Sequence, residues 1–301
     1  MMLAPICLFV YQRLEETKET IRCLSRNDLA NESDLYIFSD GPKDAKSAAK
    51  VDEVREFVRS VSGFKSVTVV ESETNKGLAA SIIDGVSRIV SEYGKVIVVE
   101  DDILTSGGFL TYMNNALDHY EDDHSVMQIS AFMHPIDTAG LPDTFFYQAN
   151  SCWGWATWHR SWRFFKDDPA WLLQELKSEG ISWDAFNSMQ GREFQKQLLR
   201  NINGKITTWA VKWHAMIKLK GGTVLHPKSS YISNIGFAGE GENCRWGTSV
   251  GVIDDTLDLD VTAAQTKSAD EALRRLGAYC KQRFSFWGKC KRRLSGYGIH
   301  L

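Results

Sequence analysis

The chain has 301 residues, enough for one enlarged α/β domain or two small ones with a substantial buried core. Hydrophobic residues make up 43% of it and charged residues 24%, which excludes the polar composition of a disordered protein. The formal net charge of -3 argues against wholesale nucleic-acid binding, because that function needs a basic surface.

Cysteine usage and hydropathy indicate the compartment. The six cysteines include no CxxC pair and suggest neither a zinc knuckle nor a disulfide framework, so we expect reduced thiols. No stretch reaches the roughly 18 apolar residues of a membrane span, and residues 1–10 lack the basic start of a signal peptide. These observations predict a cytoplasmic protein.

Short apolar runs alternate with helical patterns through the first third of the chain. Strands are predicted at residues 6–11, 35–38, 67–70 and 96–99, and helices at residues 14–24, 51–61 and 78–93. Continuous apolar strands that alternate with helices of ten or more residues are typical of parallel βα units covered on both faces. Residues 1–105 are therefore predicted to form a doubly wound, nucleotide-binding half.

The regular alternation of strands and helices ends in the remainder of the chain. A helix is predicted at residues 109–120, and residues 127–228 are rich in aromatic side chains with less regular periodicity. We expect residues 106–260 to complete the same domain with mixed structure. Ser268 and Glu271 form a capping-box pattern, which predicts a helix from there to about residue 283 within a C-terminal segment, 261–301.

Three adjacent acids, Glu100, Asp101 and Asp102, follow the fourth predicted strand. Ligands of open parallel sheets bind at this carboxyl edge. Neighbouring carboxylates repel one another and lose solvation on partial burial, so a cation makes such a cluster tolerable, and hard oxygen ligands suit Mn²⁺ or Mg²⁺ bridging to a diphosphate. The alternative is an acidic turn that only solvates the end of a strand.

The acidic triplet after such a strand resembles the metal-binding motif of glycosyltransferases with the GT-A fold, of the GT2-like and N-acetylglucosaminyltransferase I-like type. The resemblance implies an α/β fold with a mixed, mostly parallel sheet flanked by helices, and Asp102 and Glu100 as metal residues, with Asp102 also catalytic. Asp101 is implied to face the nucleotide-sugar donor.

Three further segments are similar to that family in the expected order. Tyr11 and Arg13 end the first strand, where these enzymes grip the nucleotide. Asp40 ends the second strand and could accept from a uracil N–H, Lys76 could offset diphosphate charge, and Gly77 would let a helix N-terminus approach an anion. Taken singly, Asp40 also fits a turn-forming aspartate, Lys76 a solvated cation and Gly77 a glycine at a helix start.

The string Cys152-Trp-Gly-Trp-Ala-Thr-Trp158 resembles a segment of bacterial polysaccharide glycosyltransferases of this kind. Indole faces stack on sugar rings, which makes Trp153 and Trp155 candidate donor-binding residues, and Gly154 would let the donor sugar approach the backbone. Core packing of the tryptophans is the alternative. Segments 209–214, 225–227 and 234–237 are also similar to that bacterial group, so the resemblance touches residues from about 5 to 245.

The catalytic base does not follow from the resemblance. Relatives carry an aspartate after the first tryptophan of segment 209–214, but this chain has Ala210 there. Candidates are Glu240 and Glu242, in a glycine-rich loop that could act as a lid, and His214. The alternatives are a solvated acidic loop and a structural histidine; a retaining reaction would need no base at that site.

The C-terminal stretch 281–293 carries six cations and no acid, interleaved with aromatic residues. Such a segment suits an anionic membrane surface, so we expect contact with the inner face of the membrane and lipid-linked acceptors; a solvated helix end is the alternative.

The sequence thus predicts a metal-dependent transferase that moves a sugar from a nucleotide-diphosphate donor, with UDP as first candidate, to a saccharide in bacterial surface polysaccharide synthesis. Two other functions stay open. A sugar nucleotidyltransferase would show a Gly-rich basic loop after the first strand, and a non-enzymatic carbohydrate-binding protein would have no reason to place three acids at a strand end. Donor sugar, acceptor, linkage, stereochemistry and oligomeric state are not determined.

Overall fold

The computed structural model describes residues 2–236, 256–264 and 266–284. The strands are β1 Ile6–Val10, β2 Asp34–Ser39, β3 Ser66–Glu71, β4 Lys95–Glu100, β5 Ile103–Thr105, β6 Val126–Ser130, β7 Thr144–Tyr147, β8 Trp155–Trp158, β9 Thr223–Pro227 and β10 Ile232–Asn234. The helices are α1 Leu14–Leu24, α2 Ala45–Arg59, α3 Leu78–Tyr93, α4 Phe109–His119, α5 His159–Trp162, α6 Pro169–Ser178, α7 Trp183–Asn187, α8 Glu193–Ile202, α9 Ala210–Leu219 and α10 Thr266–Phe284.

Eight of these strands form one sheet in the order β3-β2-β1-β4-β8-β6-β9-β7. The first four are mutually parallel, and β8 lies antiparallel between β4 and β6. β6 and β9 are parallel, and β7 closes the edge antiparallel to β9. β5 and β10 form a separate antiparallel pair. The predicted mixed, mostly parallel α/β fold is confirmed.

The sheet is buried on both faces, because alternate residues of its central strands enter two hydrophobic clusters. Cys7 and Phe9 of β1 face a cluster that includes residues of α3, α6, α8 and α9. Ile6 and Leu8 face the other, with residues of α1, α2 and α4. Each central strand therefore reads as a continuous apolar run. The sheet continues from the first half into the second; the boundaries at 105 and 260 stay predictions.

Two predicted helix starts are wrong. Helix α2 begins at residue 45 and not at 51, because the side chain of Asp44 accepts from the backbone N–H of Ser47 and the Ser47 hydroxyl caps in return. This capping pair lies in a polar stretch without apolar periodicity, so the hydrophobic pattern detected only the later turns. Helix α10 begins at Thr266, which places Ser268 inside the helix instead of at its cap.

Among the described residues, no helix is long and apolar enough to cross a membrane. Four of the six cysteines, at positions 7, 23, 152 and 280, are free. Lys281 and Arg283 lie in the last turn of α10, where Arg283 donates to the Tyr279 hydroxyl at 3.1 Å. Residues 285–301, with the rest of the predicted membrane-contacting segment, lie outside the described residues.

Helix α3 approaches the sheet closely at Gly85. A methyl group there would lie 2.8 Å from two ring atoms of Phe9, whose ring is held by stacking on Phe38 at 5.1 Å. We expect Gly85→Ala to destabilise the protein by about 1–2 kcal/mol, because overpacking exceeds the roughly 1 kcal/mol gained in helix propensity. Urea denaturation measures the change. Ser91→Ala, on the exposed face of the same helix, is the control; equal stabilities of the two variants would contradict the prediction.

Candidate functional site

The predicted site residues of the first half meet at one edge of the sheet. Because β1, β2, β3 and β4 are parallel, the residues that follow them lie at the same carboxyl edge: Tyr11 and Arg13 after β1, Asp40 after β2, residues 74–77 after β3 and the acids after β4. Strand β8 is antiparallel to β4, with Trp155 opposite Val98, so Trp153 also reaches this edge.

Arg13 links the end of β1 to the acids after β4. Its Nη1 donates to Asp102 Oδ2 at 3.0 Å and its Nε to Asp101 Oδ2 at 3.4 Å, and Nη2 pairs with Asp101 Oδ1. Both aspartates are buried. The Thr20 hydroxyl of α1 donates to the Asp101 carbonyl at 2.9 Å, which ties the same turn to the first helix.

Burial dominates the electrostatics of the acids. Burial raises the pKa of Asp101 to about 6, although Arg13 opposes the rise. The pKa of Glu100 is raised well above its usual value by burial and then by Asp102 and Asp101. Burial alone would lower the pKa of Arg13, but the two aspartates raise it. Arg13 thus supplies one positive charge against the three acids Glu100, Asp101 and Asp102. The cluster therefore still favours the approach of further positive charge.

One oxygen of the cluster is available to a ligand. Asp102 Oδ1 is buried, and no described residue makes a hydrogen bond to it. Buried polar atoms are almost always satisfied, so an orphaned carboxylate oxygen indicates a missing partner such as a cation or a donor group. The sequence alone could not distinguish Asp102 from Asp101 in this respect, because the difference arises from where Arg13 donates.

The segment after β10 closes the site over Asp102. The Ile235 N–H donates to the Asp102 carbonyl at 2.9 Å, and the Gly236 N–H donates to Asn234 Oδ1 at 2.8 Å. A methyl group on Gly236 would lie 2.0 Å from Asp102 Oδ2. Position 236 therefore requires glycine for the close approach of its backbone. The segment 234–237 is similar to a bacterial signature, but no local pattern in the sequence indicates its contact with the acids.

Asp40 is the centre of a hydrogen-bond network between the ends of β2 and β3. Oδ1 accepts from the N–H groups of Gly41 and Lys76, each at 2.8 Å, and Oδ2 accepts from Gly77 N at 2.8 Å and Asn75 Nδ2 at 3.1 Å. Four donors occupy the two oxygens. A contact from Asp40 to a nucleobase stays a prediction, and it would require Asp40 to give up one of these bonds.

The remaining residues of this edge have their own partners. Lys76 Nζ pairs with Asp84 at 2.9 Å at the surface, and Gly77 precedes α3 with a φ of 77°, a conformation that glycine adopts without strain. The Tyr11 hydroxyl accepts from the Lys43 N–H at 3.2 Å. Lys76 is therefore held by a residue of α3 and Tyr11 by the loop before α2, and their roles in donor binding stay predictions.

The prediction that Trp155 binds the donor is wrong. Its side chain is fully buried and stacks on Trp209 with the ring centroids 4.8 Å apart, so no ligand at the surface can reach it. Trp153 is only partly buried and meets Phe132 edge to face at 4.8 Å. Gly154 has a φ of 59° and packs against Ile232 and Phe109, so internal packing explains this glycine.

Of the three candidate bases, the structure describes only His214. His214 is fully buried, its Nε2 lies 2.7 Å from the Phe186 carbonyl, and its ring stacks on Phe194 at 3.8 Å. These are the surroundings of a structural histidine, the alternative that the sequence left open, and they do not fit proton transfer with a substrate. Glu240 and Glu242 lie outside the described residues.

The position that carries aspartate in relatives lies near the site. Ala210 begins α9 directly after Trp209, which stacks on Trp155 opposite the end of β4. Its carbonyl accepts from Asn150 Nδ2 at 2.9 Å. An apolar methyl group thus occupies this position.

The chain does not supply a complete metal cage within its described part. No group of three or more His, Cys, Asp or Glu side chains there is arranged to hold a metal ion. An ion at Asp102 would need further ligands from water or from a bound diphosphate, which is how Mg²⁺ is commonly held.

Comparisons with known proteins give low similarity. No family model and no curated protein sequence matches the chain. The solved structures that it resembles include a mannosyltransferase from Pyrobaculum calidifontis in complex with GDP-Man and Mn²⁺, at 11% identity and a TM-score of 0.42, covering 72% of this chain and 68% of that one. The S. aureus protein TarS 1-349 in complex with UDP-GlcNAc is similar at 12% identity and a TM-score of 0.40, covering 98% of this chain and 73% of that one. Likeness at this level identifies neither a family nor a substrate.

The burial of His214 predicts a pH-dependent stability. Burial lowers its pKa to about 3, whereas the unfolded chain protonates it near the ordinary value of 6.5. The unfolded state therefore binds the extra proton first, and the contribution of neutral His214 to stability, complete above pH 6.5, is lost as pH falls towards 3. Below about pH 6, His214 lowers the free energy of unfolding by about 1.4 kcal/mol per pH unit.

Urea denaturation between pH 7.5 and 4.5 measures how the free energy of unfolding depends on His214. His214→Gln keeps a donor near the Phe186 carbonyl but cannot protonate, so its stability falls less steeply with pH than that of the wild type. His124→Gln is the control, because His124 is exposed and its surroundings change little on unfolding. Parallel pH profiles for the wild type and His214→Gln would show that the buried histidine has no such effect.

Proposed function

We propose that the chain is a glycosyltransferase that moves a hexosyl or N-acetylhexosaminyl group from a nucleoside-diphosphate sugar to a saccharide acceptor. UDP is the first candidate nucleotide, and bacterial surface polysaccharide synthesis is the proposed setting. The observation that carries the proposal is the buried Asp102 at the carboxyl end of β4, with an oxygen that no described residue satisfies. A nucleotide-sugar diphosphate with its cation is the ligand that this edge suits best.

Asp102 is the proposed protein ligand of Mn²⁺ or Mg²⁺, with Glu100 as the second acid. Hard cations of this kind use one or two carboxylates together with phosphate oxygens and water, which fits a site that offers one free carboxylate oxygen. When bound, the ion would neutralise charge on the departing diphosphate. The alternative of an acidic turn in water fits less well, because Asp101 and Asp102 are both buried.

The donor is proposed to bind across the ends of β1 to β4. Tyr11 and Arg13 border the nucleotide, and Asp101 contributes by fixing Arg13. Gly77 directly precedes α3, whose N-terminus attracts an anion, and Lys76 would have to leave Asp84 to reach a phosphate. Trp153 offers a partly exposed ring for the sugar.

In the proposed reaction an acceptor hydroxyl attacks the anomeric carbon and the nucleoside diphosphate leaves, through an oxocarbenium-like transition state. If the configuration inverts, a base must take the acceptor proton. Ala210 cannot do this and His214 is buried in the core. Glu240 is therefore the proposed base. The basic segment 281–293 is proposed to bring the enzyme to lipid-linked acceptors at the inner face of the membrane.

The first test is a panel of nucleotide sugars assayed for release of nucleoside diphosphate with Mn²⁺ and with chelator. We expect release that requires the metal, and we expect Asp102→Asn to lower turnover at least ~100-fold, because transition-state charge stabilisation of several kcal/mol is lost. Asn keeps the size of the side chain, and Arg13 keeps its pairs with Asp101.

Asp34→Asn is the matched control for Asp102→Asn. Asp34 begins β2 at the opposite end of the sheet and pairs with Lys65 and Ser66 at the surface. We expect this variant to keep near-wild-type turnover. Full activity of Asp102→Asn would overturn the site assignment. Pyrophosphate release from nucleoside triphosphates would indicate a nucleotidyltransferase, and saccharide binding without any turnover would indicate a carbohydrate-binding protein.

Glu240 can be tested against Glu242, which lies two positions later in the same glycine-rich sequence segment. If Glu240 is the base, Glu240→Gln lowers kcat by about 10²–10⁴-fold and leaves KM for the donor nearly unchanged, because the loss affects proton transfer only. Glu242→Gln serves as the control and should stay close to the wild type. Equal, small effects of both substitutions would remove Glu240 from the reaction.

A further inference from the structure

Arg13 is the one cation that the described residues place in contact with Asp101 and Asp102. Its side chain is only 15% exposed, and those of Asp101 and Asp102 are 5% and 10% exposed. Charges held together away from water are screened little by salt and interact more strongly than surface pairs. The positive charge of Arg13 is therefore a permanent part of the site at which a cation is proposed to bind.

The guanidinium divides its hydrogen bonds unequally. Both oxygens of Asp101 are engaged, through Nη2 and Nε, whereas Asp102 receives one bond, from Nη1 to Oδ2 at 3.0 Å. Asp102 Oδ1 has no hydrogen-bond partner in the described part of the chain. Asp101 thus anchors Arg13, and Asp102 keeps one oxygen for a ligand while sharing the other with Arg13.

Contacts hold both the backbone and the side chain of Arg13. Arg13 directly precedes α1, and Thr17 donates to its main-chain carbonyl with the backbone N–H at 3.0 Å and the hydroxyl at 2.6 Å. The guanidinium is held by Asp101 and Asp102, and a methyl group on Gly236 would lie 3.0 Å from its Nη1. A divalent ion at Asp102 would therefore bind beside the positive charge of Arg13.

We propose that Arg13 is a positioning residue that couples metal binding to donor binding: its fixed charge repels a divalent ion at Asp102 until the diphosphate of the donor neutralises both cations. This inference rests on the proposed function, because it assumes a metal and a diphosphate at this edge. Asp101 acts through Arg13 by anchoring it and is not itself a metal ligand. The expected property is weak binding of the metal alone and much tighter binding of the metal in the presence of nucleotide.

Binding of Mn²⁺ followed by electron paramagnetic resonance tests the proposal, with Mn²⁺ alone and with Mn²⁺ plus UDP. In the wild type we expect UDP to raise Mn²⁺ affinity at least ~10-fold, because the diphosphate charge removes the repulsion. Arg13→Gln should bind Mn²⁺ alone on the order of tenfold more tightly than the wild type, and the enhancement by UDP should shrink. Arg13→Lys keeps the charge and should retain the wild-type coupling.

Arg22→Gln is the matched control, because Arg22 lies on the exposed side of α1 and pairs only locally with Glu19. A thermal melt with and without Mn²⁺ gives a second readout: the metal should raise the Tm of Arg13→Gln more than that of the wild type. If Arg13→Gln does not fold, Arg13→Met, which removes the charge and keeps a long side chain, takes its place in both measurements. Mn²⁺ affinity that is independent of UDP in the wild type, or lost coupling in Arg13→Lys, would overturn the proposal.

These measurements use no sugar transfer, so they separate two kinds of failure. An enzyme that transfers sugar but shows no change in Mn²⁺ affinity in Arg13→Gln would disprove the role of Arg13 and keep the proposed function. Coupled binding of Mn²⁺ and UDP that weakens in Arg13→Gln, without transfer to any acceptor, would support Arg13 as the coupling residue while contradicting the proposed function.

Discussion

The pairing of Arg13 with Asp101 and Asp102 is the interaction on which the candidate site depends. It joins the ends of β1 and β4, which are adjacent parallel strands, and it allows three acids to be adjacent in a largely buried position. Without an internal cation, desolvation and mutual repulsion would disfavour the ionised cluster. The same pairing engages both oxygens of Asp101 but only one of Asp102, whose Oδ1 has no hydrogen-bond partner among the described residues. Asp102 is for this reason the proposed ligand-binding acid.

A second polar junction organises the neighbouring strands. Asp40 accepts four hydrogen bonds from residues 41 and 75–77 and so fixes the loop that opens α3 relative to the end of β2. The two junctions use buried carboxylates in different ways. Asp40 accepts from three backbone N–H groups and the Asn75 side-chain amide, whereas Asp102 accepts from the Arg13 guanidinium at one oxygen. Asp40 therefore fixes the loops of this edge, while Asp102 keeps one oxygen without a partner among the described residues.

Much of the fold was predictable because its signals are local. Apolar runs gave the four parallel strands, and helical periodicity gave α1 and α3 with their bounds. The start of α2 was missed because a capping pair in a polar stretch sets it. Trp155 was misassigned because a tryptophan that packs in the core and one that stacks on a ligand have the same sequence signature. Only the pairing of β8 against β4 and the stacking on Trp209 distinguish them.

The sequence by itself determined the order of the elements, the acids at the end of the fourth strand and the loops that share their edge, because these follow from hydrophobic periodicity and from the parallel arrangement of βα units. Tertiary structure alone decided which acid keeps an oxygen without a hydrogen-bond partner among the described residues, that Gly236 approaches this acid and that His214 belongs to the core. Those properties depend on contacts between residues 13, 101, 102 and 236, or between 186, 194 and 214, which are distant in sequence. Hydrogen bonding and burial are properties of a side chain's neighbours in space, and no local pattern encodes them.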